Sequence, residues 1–333
     1  MSVTIKDIAR IANLSHSSVS RALNNSNLVN EETIKKVKLI ASELGYIPNY
    51  SAKGLSLNKS FNIGLFFPTL YEGTSAYFFY EAMQAVMKVI KNEYKLVIAN
   101  VDDYKEAKYI NKRNFDGIIL VSQSCRDDFF INKILENEIP LVVLNRYVNS
   151  YRVNNIISDD RQGVCRAIEY LIENGHKKIA FIEGKEGLEP AKERKEGYFD
   201  AFLNNDIQLR KDYIVKGEYN IHSGYVAMQK ILTVSDLPTA VFCSNDEMAA
   251  GALKAIYEKG LKVPGDISVV GFDNSIISSF SSPSLTTVNK PIKQMSTKGA
   301  EKILQIINSN VNEVETLYIK TDLVIRESVK SLI

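Results

Sequence analysis

Apolar residues recur at helical spacing through the first 45 positions of the chain, whereas from residue 62 onward they gather into short continuous runs. In the first part, Thr4 offers an N-cap to a helix whose buried face is Ile5, Ile8, Ala9 and Ala12. Asp7, three residues on, returns the bond and opposes the helix dipole. Asn13 tolerates left-handed backbone and ends that helix. Ser15 is the next N-cap, with Leu14 and Val19 at the positions of a hydrophobic staple. The second helix, Ser15 to about Leu23, buries Val19, Ala22 and Leu23 and turns His16, Ser17, Ser20 and Arg21 outward. A third helix starts after Asn30, is stapled by Val29 and Ile34, buries Ile34, Val37, Ile40, Ala41 and Leu44, and stops at Gly45. Two short helices joined by a turn of about three or four residues, with a third packed on them, form a helix-turn-helix head.

The body reads differently. Ile63-Gly-Leu-Phe-Phe67, Leu96-Val-Ile-Ala99, Gly117-Ile-Ile-Leu-Val121 and Leu141-Val-Val-Leu144 predict buried strands, and Tyr80 to Ile90, Tyr104 to Lys112 and Phe129 to Asn137 predict helices between them. After Ile156-Ile-Ser-Asp159 the pattern restarts, with a helix over 161–174, a strand Lys178–Ile182, a helix over 192–204, a strand Ala240–Cys243, a helix over 246–259 and a strand Ile267–Phe272. Such alternation predicts parallel sheets with helices on both faces, and two of them enclose a cleft at the carboxyl ends of their strands.

Charge sharpens the division. Residues 1–60 hold eight Lys or Arg against four Asp or Glu, a balance of +4, while the remainder stands at −2 within a total of +2. A basic head on a mildly acidic body suits contact with a polyanion. There is no basic segment followed by an apolar core at the N-terminus and no run of about 18 apolar residues, so neither export nor a membrane span is expected and the cytoplasm is the expected compartment. The three cysteines, Cys125, Cys165 and Cys243, lack metal or redox spacing and are expected to be buried free thiols. No nucleophile elbow, phosphate-binding glycine loop or His/Cys cluster offers a catalytic, cofactor or metal site, so no enzyme is expected.

The stretch Val3-Thr-Ile-Lys-Asp-Ile-Ala-Arg-Ile-Ala-Asn-Leu-Ser-His-Ser-Ser-Val-Ser-Arg-Ala-Leu-Asn24, followed by Glu43-Leu-Gly-Tyr-Ile-Pro-Asn49, resembles the N-terminus of the lac repressor/galactose repressor family. The resemblance implies that His16, Ser17 and Arg21 read bases in the major groove, where an arginine suits the paired acceptors of guanine. It implies that Thr4, Ser15, Ser18, Ser20, Asn24 and Tyr46 hold phosphates, which fix register. Asn49 to Ser56 matches the family's hinge helix, with Leu55 wedged into the minor groove beside Ala52. Gly54 departs from that pattern and weakens a helix by about 1 kcal/mol against Ala, so a plain linker over 49–60 stays an alternative.

The resemblance continues through Glu173-Asn-Gly-His-Lys-Lys-Ile-Ala-Phe-Ile182, Arg194-Lys-Glu-Gly-Tyr198, Ser244-Asn-Asp-Glu-Met-Ala-Ala-Gly-Ala252 and Val263-Pro-Gly-Asp-Ile-Ser-Val-Val-Gly-Phe-Asp273 to Leu285-Thr-Thr-Val288. It implies a two-lobed body like a periplasmic sugar-binding protein. The expected divisions are a head over 1–47, a hinge over 48–60 and an effector-binding body over 61–333. Within the body, one lobe takes about 61–160 plus 291–319 and the other about 161–290 plus 320–333.

Asn145, Asn245 and Asp273 each follow a predicted strand, which puts them at a cleft edge, and Arg194 is expected to open a helix facing it. Amide, carboxylate and guanidinium together suit vicinal hydroxyls. The resemblance assigns the same Arg, Asn and Asp to the effector and adds Tyr219 as a pocket aromatic; Ser122, Arg146 and Asp159 are further candidates at strand ends. Asp246 and Asp266 are expected to cap a helix and make a turn, and His176 and His222 to be structural. The pocket mouth departs from the family: Ala76-Tyr-Phe-Phe79 stands where relatives carry Asn-Pro-Phe-Phe, after an extended Thr69-Leu-Tyr-Glu-Gly-Thr-Ser75 loop.

The expectation is therefore an allosteric, sequence-specific repressor, not an enzyme, acting as a homodimer on a pseudo-palindromic DNA operator. No leucine heptads point to a tetramer. Its effector is expected to be a carbohydrate, with a nucleobase as the alternative. The rival from another class is a sugar-binding transport component, which would need an export signal and would carry no head.

Overall fold

The computed structural model describes residues 3–23, 26, 28–46, 59–68, 75–91, 93–104, 109–150, 152–309 and 313–333. It divides into two compact units, Met1–Lys59 and Ser60–Ile333. Asn24, Asn49, Ala52 and Leu55, with the expected hinge helix, lie outside the described residues, as does most of the Thr69–Ser75 loop.

The head consists of α1 (Ile5–Ala12), α2 (His16–Leu23) and α3 (Glu31–Glu43). Its core is Ile8, Ala9, Ala12, Val19, Ala22, Val37 and Ala41, small residues at helical spacing that let three short helices approach closely. The ends are set as the residues dictate. Both the amide and the hydroxyl of Thr4 donate to the Asp7 carboxylate, at 2.9 and 2.7 Å. Asn13 takes φ 56° at the end of α1, where Lys36 reaches across to donate to the Ala12 carbonyl at 3.1 Å. Ser15 Oγ accepts from the Ser18 amide, and Asn30 Oδ1 from the Thr33 amide.

The body contains two six-stranded sheets. The first runs β11 (Thr316–Ile319), β5 (Asn154–Ser158), β4 (Leu141–Leu144), β3 (Gly117–Val121), β1 (Asn62–Phe67), β2 (Lys95–Asn100), with every neighbouring pair parallel. The second runs β12 (Asp322–Val324), β10 (Thr286–Asn289), β9 (Ser268–Phe272), β8 (Ala240–Cys243), β6 (Ile179–Glu183), β7 (Ile214–Lys216), with only the β10–β12 pair antiparallel. Near-continuous apolar strands such as Leu65-Phe-Phe67 and Val241-Phe-Cys243 are buried on both faces, which is why helices must cover both. The helices are α4 (Ala76–Ile90), α5 (Asp128–Glu136), α6 (Asp160–Glu173), α7 (Glu189–Asn204), α8 (Ile221–Ile231), α9 (Asp246–Glu258), α10 (Ile276–Phe280) and α11 (Ile292–Ser309).

The chain passes between the sheets three times: from β5 into α6, from β10 into α11, and from β11 to β12. After the second passage α11 packs on the first sheet, where Met295, Ala300 and Ile303 join a core with Ile63, Leu65 and Leu144.

Residues 105–108 of the expected helix Tyr104 to Lys112 lie outside the described residues, and the residues described on either side of them are not α-helical. Two expectations are corrected. Helix α7 begins at Glu189, with Pro190 in its first turn, so Arg194 sits in its second turn rather than at its opening. Cys165 and Cys243 are buried, whereas Cys125 is exposed. The pattern reading also passed over β7, α8, α10, β10, α11 and β11 as elements.

Helices α8 and α9 meet at glycines. A Cβ on Gly251 would lie 2.0 Å from the Ile221 carbonyl oxygen and 2.6 Å from the Tyr225 amide, both backbone atoms that cannot step aside. Alanine would gain about 1 kcal/mol of helix propensity, yet forced apart the two helices lose more, in line with the roughly 1–3 kcal/mol of an overpacked core. Gly251→Ala is therefore expected to lower the urea midpoint of the body, and an unchanged or raised midpoint would refute the close approach.

Candidate functional site

The carboxyl ends of the strands open onto a cleft of about 420 Å³ counted together with space open to solvent, lined by Ser75, Phe78, Gln123, Asn145, Leu188, Pro190, Arg194, Tyr219, Asn245, Asp273 and Lys290. Asn145 follows β4, Asp273 follows β9 and Asn245 follows β8, so parallel strands deliver all three. Asn145, Tyr219 and Asp273 take φ of 75°, 61° and 104°. Left-handed backbone is costly for a side chain as large as tyrosine, and such strain concentrates where geometry serves a ligand. Tyr219 also needs Gly184, because a Cβ there would lie 2.2 Å from its hydroxyl oxygen.

Arg194 is the hub. Its Nε donates to Asp160 Oδ2 at 3.0 Å, Nη1 donates to the Ser244 carbonyl, and Nη2 lies 3.7 Å from Asp273 Oδ1. The guanidinium stacks 3.7 Å from the Phe272 ring centroid and 5.6 Å from that of Tyr219. Lys290 Nζ donates to both oxygens of Asp160, at 3.2 and 3.0 Å, and Ser158 Oγ donates to the same carboxylate. Two buried cations thus share one buried carboxylate.

Burial works against the charge of Asp160, but Lys290 and Arg194 outweigh it and hold its carboxyl below the usual carboxylate range. For Lys290 burial dominates and lowers its affinity for the proton, although Asp160 opposes that. Asp273 is pushed up to about 6 by burial, against the pull of Arg194 and Lys290. Its carboxylate accepts no hydrogen bond from the described residues, so both oxygens are open to donors.

Two further polar atoms are buried in this cleft with no partner among the described residues, Asn145 Oδ1 and the Tyr219 hydroxyl. Burial pushes the Tyr219 phenol up to about 12, which keeps it protonated. Buried polar atoms are almost always bonded, so these two are open to polar groups of a ligand. Asn245 is partly spent: its Oδ1 caps α9 through the Met248 amide at 2.9 Å, and its Nδ2 donates to the Tyr219 carbonyl at 3.1 Å.

Five of the expected effector residues therefore line one cleft: Asn145, Arg194, Tyr219, Asn245 and Asp273. Three do not. Ser122 Oγ donates to Asp127 and accepts from Arg146 Nε, while Arg146 Nη2 pairs with Asp128, so both side chains brace the loop after β3. Asp159 is the N-cap of α6, accepting from the Gln162 amide at 3.4 Å, and the carboxylate that enters the charge cluster is its neighbour Asp160.

Lys290, Gln123, Ser75, Phe78, Leu188 and Pro190 were missed. Lys290 carried one readable signal, a lysine directly after an alternating Thr286–Asn289 strand and before Pro291.

Asp246 is corrected as well. Asn245 caps the helix, and Asp246 accepts from the Ser275 amide at 2.7 Å and Thr287 Oγ1 at 2.6 Å, tying α9 to the loop after β9; burial and the charge of Asp273 push it up to about 7. Asp266 closes a turn with the Lys262 amide. His176 is buried between Thr239 Oγ1 and the Lys330 carbonyl, and His222 is exposed on α8.

On the head, His16, Ser17 and Arg21 lie exposed on α2, with Ser18 and Ser20 half-buried beside them. Ser15 Oγ bonds the hydroxyls of Ser17 and Ser18 at 2.8 and 2.9 Å, so the helix start presents a small hydroxyl cluster. Thr4 is exposed at the start of α1 and Tyr46 half-buried after α3. Among the described residues no His, Cys, Asp or Glu cluster has the make-up of a metal site, and no helix is long and apolar enough to cross a membrane.

Comparison with known proteins places these features. Residues 4–49 match the family model of bacterial regulatory proteins, lacI family, and residues 168–329 match a periplasmic binding protein-like domain. The chain is 46% identical to the probable HTH-type transcriptional repressor ExuR of Bacillus subtilis (strain 168), over 99% of both chains. It is 34% identical to the ribose operon repressor of Haemophilus influenzae, again over 99% of both. Among solved structures it is similar to the lac repressor dimer bound to operator and the anti-inducer ONPF, with a TM-score of 0.86 and 26% identity over 99% of this chain and 100% of that one.

The orphaned tyrosine hydroxyl yields a test of the cleft itself. Removing a buried hydroxyl that has no partner relieves a desolvation cost of about 1 kcal/mol or more. Tyr219→Phe is expected to leave the unfolding free energy of the ligand-free protein unchanged or slightly raised, and a loss of more than about 1 kcal/mol would mean that the hydroxyl is bonded.

Proposed function

Because the chain belongs to the lacI family of bacterial regulatory proteins, we propose that it represses transcription by gripping operator DNA with His16, Ser17 and Arg21 while a carbohydrate in the cleft controls the grip. It is a DNA-binding repressor with a small-molecule effector, and not an enzyme. Thr4, Ser15, Ser18, Ser20 and Tyr46 are assigned to phosphates, and Asn145, Arg194, Tyr219, Asn245 and Asp273 to the effector, with Lys290 added. The cytoplasm, where the chromosome is, is the proposed compartment.

One observation carries the effector reading: a buried cleft whose unspent polar atoms are an amide oxygen, a phenol, an open carboxylate and a guanidinium edge. That set of alternating donors and acceptors fits a ring of hydroxyls of monosaccharide size. Binding that favours one arrangement of the lobes shifts operator affinity by typically 1–3 kcal/mol.

The repressor acts as a dimer, as its family does. Exposed apolar side chains support that: Phe280 is 82% and Ile276 68% exposed on α10, next to Tyr257 on α9, and Tyr80 and Met87 are exposed on α4. Paired heads read two half-sites related by symmetry.

Lys290 favours a second reading, in which the sugar carries a carboxylate. Arg194 and Lys290 against Asp160 leave one positive charge, which Asp273 answers only when ionised. A ligand carboxylate would take that place at Arg194 if Asp273 accepted a proton.

Two experiments test these assignments. Selection from a pool of random duplexes at physiological salt is expected to enrich a palindrome. Arg21→Ala should cost about 1–3 kcal/mol of discrimination at one base pair of each half-site while leaving the protein folded. Enrichment of no sequence by a folded dimer would sink the repressor reading.

A panel of neutral sugars, sugar acids and nucleobases on the enriched duplex then finds the effector, and calorimetry at pH 5.5 and 7.5 separates the two sugar classes. With Asp273 titrating near 6, a neutral sugar held by its ionised carboxylate loses affinity as pH falls through that value. A sugar acid that needs Asp273 protonated gains affinity over the same range. A nucleobase as the sole active member would overturn the carbohydrate assignment.

A further inference from the structure

The three passages between the sheets are not independent linkers. The first, Ser158–Asp160, is bonded to both of the others. Lys290 of the second passage donates to both carboxylate oxygens of Asp160, at 3.2 and 3.0 Å. Thr321 of the third donates through Oγ1 to the Asp159 carbonyl at 3.0 Å, and Arg166 on α6 clamps the Thr321 carbonyl and hydroxyl at 2.7 and 2.9 Å. Gly163 makes room for this join, since a Cβ there would lie 2.3 Å from Thr321 Oγ1.

The same Asp160 carboxylate takes Arg194 Nε at 3.0 Å, and the far side of that guanidinium faces the cleft and Asp273. One carboxylate, two cations and the Ser158 hydroxyl are therefore in competition: whatever draws Arg194 toward the cleft changes how Asp160 holds Lys290.

Resting on the reading of this cleft as the effector site, we propose that Asp160 and Lys290 are positioning residues that couple occupancy of the cleft at Arg194 to the arrangement of the three passages between the lobes. Asp160 itself, which does not line the cleft, need not touch the effector for this to work. The ion pair closes a circuit from Arg194 through the first passage to the second and third. It also gives Lys290 a task beyond lining the cleft, because its partner lies at the joint rather than among the cleft's open polar groups.

The proposal is tested by amide hydrogen exchange on the full chain without any ligand, in a double-mutant cycle. Asp273→Asn removes the charge facing Arg194 and stands in for a change of its partner in the cleft. It is expected to change exchange at Thr321, whose side-chain bonds go to Arg166 and Asp159 and not to Asp273 or Arg194, by about threefold or more. Lys290→Met should abolish that response, and Lys290→Arg should restore it.

A response that persists in Lys290→Met, or that never reaches the third passage, overturns the coupling. So does a Lys290→Met effect spread evenly over both sheets, which is the mark of mere destabilisation. If Lys290→Met fails to fold, Lys290→Gln takes its place, neutral but still able to donate to Asp160. Selected operator duplex is the second readout: about tenfold altered operator affinity in Lys290→Met and recovery in Lys290→Arg are expected. Should the wild type enrich no duplex, the repressor reading fails, while the exchange cycle still decides the coupling.

Discussion

The carboxylate of Asp160 has to neutralise two cations in the interior of the body, and much of the effector lobe is arranged around that requirement. An ion taken out of water costs several kcal/mol even after relaxation, and the cost is met only when geometry and hydrogen bonds are both good. Here Arg194 and Lys290 approach from separate elements, α7 and the end of β10, while Ser158 completes the carboxylate's bonding. Removing the acid would strand both cations. The strand ends, the start of α6 and the second turn of α7 are consequently held in one mutual arrangement, from which Arg194 presents its remaining edge to the cleft.

Around that satisfied cluster the cleft is left deliberately short of partners. Among the described residues the buried Asn145 Oδ1 and Tyr219 hydroxyl have none, the Asp273 carboxylate accepts no bond, and all three residues hold left-handed backbone. A folded protein normally avoids each of these conditions, and their coincidence in one place supports the proposed effector site. Polar groups arranged in this way discriminate strongly, because a ligand lacking the matching hydroxyl leaves them unpaired. The head follows the opposite logic. Its core is complete with small apolar residues, and the polar face of α2 is exposed and needs no preformed pocket, since DNA brings its own groove.

Chain-level patterns were sufficient wherever the physics is local. The caps at Thr4, Ser15 and Asn30, the left-handed turn at Asn13 and the spacing of Val19 and Ala22 define the three head helices within a residue or so, because capping and helical periodicity act over three or four positions. Continuous apolar runs located most strands of both sheets. A side chain immediately after such a run must emerge at a sheet edge, which is how Asn145, Asn245 and Asp273 were found. Local patterns failed over α11, whose polar composition hid an element with a buried face.

Local patterns along the chain specify the kind of molecule: a basic three-helix head, a body of parallel sheets with helices on both faces, and the strand-end residues that border a cleft. Which charges meet is settled by the folded arrangement alone. Asp160 and Lys290 stand 130 positions apart, and nothing in either neighbourhood announces the other. The choice between Asp159 and Asp160 turns on a single residue of helix phase, one becoming the cap and the other a buried counter-ion. Ser122 and Arg146 look as available as Asn145 until the loop after β3 folds back and engages them with Asp127 and Asp128. Periodicity and capping are properties of a few neighbouring residues, whereas charge pairing depends on distances that exist only after the chain has crossed between its two sheets three times.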